Sequence, residues 1–347
     1  MTRELLNTLF IGTEGAHARL DNDQVRVELE GEKLAAVPLH HLGGIVLFGA
    51  CTATTSLMVR CAEDGRAFVL LDRAGRFRAR VQGKTTGNVL LRKAQYATHA
   101  DAQASREVCR RVVAGKAQNA RLVLMRGARD LDGARRSDAA AEVRRAAEAI
   151  AHLLPGLPGC QTDDEVRGIE GMCAQAYFQA FDHLVTSQRT DFRFEGRSRR
   201  PPLDRTNCLL SFLYSLWTND CVTALEGVGL DPQLGFLHVP RPGRPALALD
   251  LVEELRAPVV DRLALTLINR KQIQADDFEV RAGGAVMLTE DGRKKVLAEN
   301  QRRKQVEVPH RMLKQKVPIG LLPHLQARLL ARHLRGDTPH YEPYVPA

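Results

Sequence analysis

Hydrophobic periodicity changes once along this sequence, near residue 88, and that change constrains the fold more than any single motif. Before it, apolar residues recur at every second position. Val25, Val27 and Leu29 alternate with Arg26, Glu28 and Glu30, the pattern of a strand with one buried face. Glu30-Gly31-Glu32 marks a turn. The run Ile45-Val46-Leu47-Phe48 is bracketed by Gly44 and Gly49, as a buried strand would be. Residues 54–63 show helical spacing, and 67–71 with 77–81 flank Asp72-Arg73-Ala74-Gly75 as a hairpin. After the change, spacings of three and four dominate and predict helices over about 89–114, 139–153, 163–187, 208–226 and 250–269. The polar, glycine-bearing stretch 82–88 is the expected boundary. The chain reads as α+β multidomain: a β-rich domain over 1–88, a larger helical domain over 89–334 and a proline-rich tail over 335–347. Pro339, Pro343 and Pro346 disfavour helix in that tail, which is expected to be extended or disordered.

A chain of 347 residues can bury a core without staples, and 44% apolar with 26% charged residues is an ordinary globular composition. No window approaches the roughly 18 uninterrupted apolar residues of a membrane span. The first twenty residues carry Glu4 and Glu14 and lack an apolar core with a small-residue cleavage site, so no signal peptide is expected. The seven cysteines include no CxxC pair, which argues against a disulfide framework or zinc knuckle and suits reduced thiols in a cytoplasm. The net charge is +9, of which residues 1–88 hold +1 and the remainder +8. A basic surface favours a polyanion, most simply nucleic acid, against the alternative of a merely solvated basic face. Aromatics at 5% argue against a reader that stacks single-stranded bases, DNA or RNA.

Chemistry concentrates in three places. Thr162-Asp163-Asp164-Glu165 is a capping box; the helix it opens carries Glu170 at the edge of its apolar face. Gly168 and Gly171 flank Glu170 at a cost of roughly 1 kcal/mol each to the helix, so something is expected to pack close to the carboxylate. His238 ends the apolar stretch Gly235-Phe236-Leu237 just before a loop bearing Arg241 and Arg244. Asp250 and Glu253 share one helix face at i, i+3, with Glu254 the other candidate for that face. Each has a bland reading: a border salt bridge, a structural histidine, first-turn carboxylates complementing a helix dipole. Together they form an oxygen-rich set with one imidazole, which suits Mg²⁺ or Mn²⁺ and phosphodiester chemistry. Arg193, Arg197, Arg199, Arg200 and Arg205 crowd the stretch before Cys208, and Arg302, Arg303 and Lys304 form a second group. Such contacts give salt-dependent binding with little sequence information. His40 and His41 are adjacent in a strand pattern, point to opposite faces and read as structural.

At these residues the chain resembles the CRISPR-associated protein one family. The likeness runs from Leu5-Leu6-Asn7-Thr8-Leu9 and Pro38-Leu39-His40-His41-Leu42 through Gly87–Tyr96, Lys116-Ala117-Gln118-Asn119 and Gly168-Ile169-Glu170-Gly171. It continues through Pro201–Asn207, Leu210–Tyr214 and Gly235–His238 to Leu249–Arg256. The N-terminal fragments look most like the subtype I-C branch. The resemblance implies an N-terminal β-sandwich-like dimerisation domain, an all-α catalytic domain, homodimers and assembly with CRISPR-associated protein two. It implies a spacer-acquisition integrase. The 3′-hydroxyl of a double-stranded prespacer attacks phosphodiesters at the leader–repeat junction and the far repeat end, with related endonuclease and disintegration activity on branched DNA. The family's metal ligands fall on Glu170, His238 and Glu253, with Asp250 catalytic as a supporting or alternate ligand and Glu254 a possible substitute. Glu253 stands where several members have Asp, and Ala246 where many have Ser. Arg193, Arg199, Arg200, Arg241 and Arg244 are the expected DNA contacts, and Asn207 and Tyr214 are expected to line the wall of the site. A stand-alone nuclease for branched DNA and a non-catalytic DNA-binding scaffold remain open alternatives.

Overall fold

The computed structural model describes residues 7–84, 88–198 and 200–346. Residues 5, 6, 85–87 and Arg199, all named above, therefore lie outside the described residues.

The strand-rich part holds two four-stranded sheets. One has the order β1 (Asn7–Ile11), β5 (Leu42–Phe48), β7 (Ala67–Leu71), β8 (Phe77–Val81). The other has the order β4 (Glu32–Pro38), β3 (Gln24–Leu29), β2 (His17–Asp21), β6 (Thr52–Ala53). Val25 and Val27 from one sheet meet Ile45, Leu47 and Phe68 from the other, with Leu57 and Cys61 of α1 (Thr55–Glu63) closing the core. The alternate residues Val46, Phe48, Val69 and Leu71 face the opposite way and enter the core of the helical part. Strand β5 is thus covered on both faces, which is why its sequence is a continuous apolar run and not an alternation.

The two parts are joined by specific contacts. Phe48 stacks on Phe212 with centroids 6.1 Å apart. Arg293 donates to the Arg73 carbonyl at 2.7 Å, and Arg80 donates to Glu226 at 2.8 Å. Gly75, at φ +78°, sits so close to Phe212 that an added Cβ would lie 2.6 Å from its ring.

The helical part contains α2 (Val89–Ala100), α3 (Ala102–Gly133), α4 (Ser137–Leu153), α5 (Asp163–Ala180), α6 (Arg205–Val228), α7 (Ala246–Leu255), α8 (Arg262–Asn269), α9 (Glu290–Gln305) and α10 (Leu322–Leu334). The helix predicted over 89–114 is in fact two. Asp101 breaks it by capping α3, its carboxylate accepting from Gln103 N–H at 2.9 Å and Ala104 N–H at 3.0 Å. The helix predicted from Asp250 begins at Ala246, so the acidic residues sit beyond its first turn and the dipole explanation for them fails. It also does not run unbroken to 269. A π-helical stretch, Arg256–Asp261, containing Pro258, separates α7 from α8. Two short hairpins qualify the all-α expectation: β9 (Phe278–Val280) with β10 (Val286–Leu288), and β11 (Glu307–His310) with β12 (Gln315–Pro318).

The tail corrects another expectation. It is extended but docked, with Tyr341 and Tyr344 buried in the main core. Pro343 presses on α3 at Gly115, where an added Cβ would lie 2.5 Å from the proline ring.

Candidate active site

Three separate segments deliver the acidic residues and the histidine of the site, and α3 adds Lys116. Glu170 comes from α5, whose first turn is capped by Thr162, its Oγ1 accepting from Glu165 N–H at 3.2 Å; the Glu165 carboxylate reaches past the N-cap to Gln161 N–H and does not close the reciprocal half of the capping box. His238 comes from the segment before α7. Buried Gln95 of α2 holds the start of that segment, donating to the carbonyls of Asp231 and Leu234 and accepting from Asp231 N–H, each at 2.9 Å. Arg167 of α5 donates to the Leu237 carbonyl at 3.0 Å, tying the segment to the helix that carries Glu170. Asp250 and Glu253 come from α7.

Asp250 is the anchor. It is 2% exposed, and its carboxylate accepts the backbone N–H groups of Phe236 (2.6 Å), Leu237 (3.0 Å) and His238 (2.9 Å). The same carboxylate meets His238 Nδ1 at 2.7 Å. Since an ionised carboxylate only accepts, Nδ1 carries a proton, and Nε2 is the ring nitrogen turned toward the other carboxylates. Gly235 is required at the start of this turn: a Cβ there would come within 2.6 Å of the Ala246 carbonyl carbon and 2.8 Å of Asp250 Oδ2.

Glu253 faces the same place. His238 Nε2 lies 3.7 Å from its Oε1, Arg256 Nη1 lies 2.8 Å from Oε1, and Lys116 Nζ lies 2.8 Å from Oε2. Burial opposes the charge on Glu253, but the cations of Arg256 and Lys116 outweigh it and hold the carboxyl down at about 2. Oε2 is fully buried and makes no well-directed hydrogen bond, the approach of Lys116 being an ion pair only. The same Lys116 ammonium is paired with Glu170 Oε1. Glu170, Glu253 and His238 thus surround one small region, with the ammonium of Lys116 between the two carboxylates.

Among the described residues, no three His, Cys, Asp or Glu side chains stand close enough together to hold one ion as they are placed. The donor set nevertheless fits a divalent cation. It offers two carboxylates and an imidazole nitrogen, and a cation, the ammonium, already occupies the point between the carboxylates. A metal would be held there by Glu170, Glu253 and His238 Nε2.

Glu254, the possible substitute, is committed elsewhere. Its carboxyl accepts from Tyr341 Oη (2.8 Å), Tyr344 N–H (2.7 Å) and Gln326 Nε2 (3.2 Å), and burial pushes it up to about 8. Tyr214 does not form the wall of the site but stands behind it. The Arg256 guanidinium lies 4.7 Å above its ring, and its hydroxyl donates to Asp261 at 2.6 Å. Asn207 is buried and staples the loop before α6, accepting from Arg197 and from Ser198 N–H and donating to the Gly196 carbonyl. Something does pack close to the Glu170 carboxylate, as the flanking glycines suggested, and it is the Lys116 ammonium; Gly168 and Gly171 themselves open onto empty space.

Arg244 is held below its ordinary value by partial burial and by the nearby guanidiniums of Arg241 and Arg200. None of these three has a carboxylate ion-pair partner among the described residues, whereas Arg193 is exposed and paired with Glu195 at 3.2 Å. Sequence reasoning missed Lys116 and Arg256 as members of the site. Lys116 stood inside a quoted fragment, but a lysine in a helix reads as solvated surface.

The family model described as CRISPR associated protein Cas1 matches residues 9–302. A relative named CRISPR-associated endonuclease Cas1 1, from Moorella thermoacetica, is 51% identical, covering 98% of this chain and 98% of its own length. Among solved structures, a casposase bound to its integration product aligns with a TM-score of 0.81 at 21% identity, covering 97% of this chain and 93% of that one. A Cas6-RT-Cas1–Cas2 complex aligns with a TM-score of 0.80 at 21% identity, covering 100% of this chain and 37% of that one. At such identities these two structures speak for the fold alone, and none of the names carries a subtype I-C label. The family match and a relative at half identity over nearly the full length establish that the chain belongs to the Cas1 family of CRISPR-associated proteins.

Proposed function

We propose that this chain is a metal-dependent DNA integrase and endonuclease of CRISPR spacer acquisition, with Glu170, His238 and Glu253 as metal ligands and Asp250 as the residue that positions His238. The observation that carries the reading is the meeting of two carboxylates from different helices on one cation, with the His238 imidazole 3.7 Å from the second of them. The names of the Cas1 endonuclease relative and of the casposase integration complex support the same chemistry. Bound Mg²⁺ or Mn²⁺ would supply charge neutralisation at a non-bridging phosphate oxygen. The chain's own residues do the rest. Asp250 fixes the His238 tautomer and the backbone turn that carries it. Arg256 holds the Glu253 carboxylate in place. Arg200, Arg241 and Arg244, which have no carboxylate partner among the described residues, offer their guanidiniums to the phosphates on either side of the reacting bond. In the reaction, a 3′-hydroxyl oxygen attacks phosphorus and gives its proton to water, the existing P–O3′ bond breaks, and the released 3′-oxygen takes a proton from water to become a hydroxyl. One phosphodiester replaces another, and water in place of the hydroxyl gives endonuclease cleavage.

The partners in this reading are duplex and branched DNA, a second copy of the chain and the small Cas2 protein, the last supported by the named Cas1–Cas2 complex. Leu34 and Phe77, half-exposed on the strand-rich part, are apolar positions that pairing would cover. No described helix is long and apolar enough to cross a membrane, and all seven cysteines are free, which supports a prokaryotic cytoplasm.

The test is strand transfer. Purified protein, with and without Cas2, meets a prespacer duplex bearing free 3′-hydroxyl ends and a supercoiled plasmid carrying leader and repeat. Joining at both repeat edges is expected to need Mn²⁺ or Mg²⁺ and to be lost in Glu170→Ala and His238→Ala. Metal-dependent cutting of branched DNA without joining would replace the reading with a stand-alone nuclease. Tight DNA binding with neither activity would leave only a scaffold.

A further inference from the structure

We propose that Lys116 is a built-in counterion whose ammonium holds the metal position closed at rest, so that a divalent cation enters only when that ammonium leaves. The inference rests on the reading of Glu170, His238 and Glu253 as metal ligands. It is carried by one ammonium shared between two carboxylates from different helices, Glu170 on α5 and Glu253 on α7.

Three observations separate this arrangement from an ordinary surface ion pair. Lys116 is only 18% exposed and Glu253 only 2%, so the pair is poorly screened. Glu253 already has a second cation, Arg256, on its other oxygen. It therefore needs no ammonium for neutrality, and the shared Lys116 serves Glu170 as well. Finally, the ammonium has somewhere to go. Lysine is a point charge on a flexible four-carbon stem, and its partner Glu170 is 25% exposed, so the ammonium can swing toward solvent.

An ammonium and a divalent ion cannot both stand between the same two carboxylates. Metal affinity is then the intrinsic affinity multiplied by the fraction of time the position is free; if that fraction is about one in ten, removing the ammonium tightens binding about tenfold. A lysine that merely braced the site would do the reverse: its loss would let the carboxylates splay and weaken metal binding.

The experiment compares wild type with Lys116→Met, which keeps the length of the stem and drops the charge. Metal-free protein is titrated with Mn²⁺ by calorimetry and by the electron paramagnetic resonance of free Mn²⁺, with Glu170→Ala and Lys116→Met/Glu170→Ala beside it. The expected result is Mn²⁺ binding about tenfold tighter in Lys116→Met, a gain absent from the double variant. The metal-free variant is also expected to unfold at a lower temperature and to gain more from added Mn²⁺ than wild type does. Equal or weaker Mn²⁺ binding in Lys116→Met would overturn the proposal while leaving the ligand assignment intact. Wild-type Mn²⁺ binding that ignores Glu170→Ala would instead sink the ligand assignment itself. If Lys116→Met does not fold, a crystal of wild type soaked in Mn²⁺ decides: the proposal requires anomalous density between Glu170 and Glu253 with the Lys116 ammonium displaced, and fails if the metal binds with the ammonium still there.

Discussion

Replacing Asp250 by alanine should destabilise the protein far more than the removal of a simple metal ligand would. The carboxylate serves four donors in a place that water does not reach: three consecutive backbone N–H groups and the imidazole Nδ1–H. Each buried donor left without an acceptor costs about 1–3 kcal/mol. Taking the three backbone groups alone, and allowing some relief from water entering the vacated space, the loss is about 3–6 kcal/mol. That is a large part of the roughly 5–15 kcal/mol that holds a typical protein folded. Asp250→Asn keeps the volume and one acceptor oxygen but turns an NH₂ toward a donor, so its cost should be about half as great. The measurement is urea unfolding followed by circular dichroism, paired with the ¹⁵N shifts of His238. In wild type the imidazole should be the Nδ1–H tautomer; in Asp250→Ala that preference should vanish, and Mn²⁺ affinity should fall by about 10–100-fold, the usual loss when the partner of a ligating histidine is removed. A cost below about 1 kcal/mol, or an unchanged tautomer, would refute the claim that Asp250 organises the segment 235–238.

Three further outcomes follow from other parts of the molecule. Burial raises the Asp261 carboxyl from 3.8 to about 6 against the opposing hydroxyls of Tyr214 and Tyr177; the native chain therefore holds an extra proton between those values, and stability should fall as pH rises from about 4 to about 6. Asp261→Asn should flatten that part of a stability–pH curve measured by thermal unfolding, and an unchanged slope would argue against it. Gly115→Ala places a methyl 2.5 Å from Pro343 and should cost about 1–3 kcal/mol as an overpacking change, visible as faster proteolytic loss of the tail. Gly75→Ala combines a positive φ with a clash against Phe212; it should loosen the contact between the strand-rich and helical parts and lower the thermal midpoint, whereas Gly31→Ala, strained but with nothing near its Cβ, should cost only the backbone strain.

Much of this architecture was legible because it depends on local pattern. The alternation of Val25, Val27 and Leu29 marks β3, and the continuous run at 45–48 marks a strand covered twice. The shared face of Asp250 and Glu253 was likewise visible from i, i+3 spacing, and the resemblance brought Glu170 and His238 to the same place. What escaped depends on partners far away in the sequence. Nothing local tells that Tyr341 and Tyr344 must reach back to Glu254, so a proline-rich stretch read as loose. Nothing local distinguishes Lys116 from the many solvated lysines and arginines of a basic helical domain. The π-helical stretch at 256–261 was partly announced by Pro258, but its consequence, Arg256 turned onto Glu253 and Asp261 turned toward two tyrosines, needs the third dimension.

The docked tail carries a consequence for the order of assembly during synthesis. Chains generally fold from the N-terminus as they emerge. When residues through Leu334 have been made, α3, α5 and α7 are all present, yet Glu254 is still without Tyr341 and Tyr344, and Asn119 without the Tyr344 carbonyl to which it donates at 2.7 Å. The nascent helical part must hold a buried carboxyl directly beside Glu253 with two of its three partners missing. Residues 341–344 thus complete the back of a candidate site whose front comes from α3, α5, the turn at 235–238 and α7, and a chain stopped just short of them would display that site folded but unfinished.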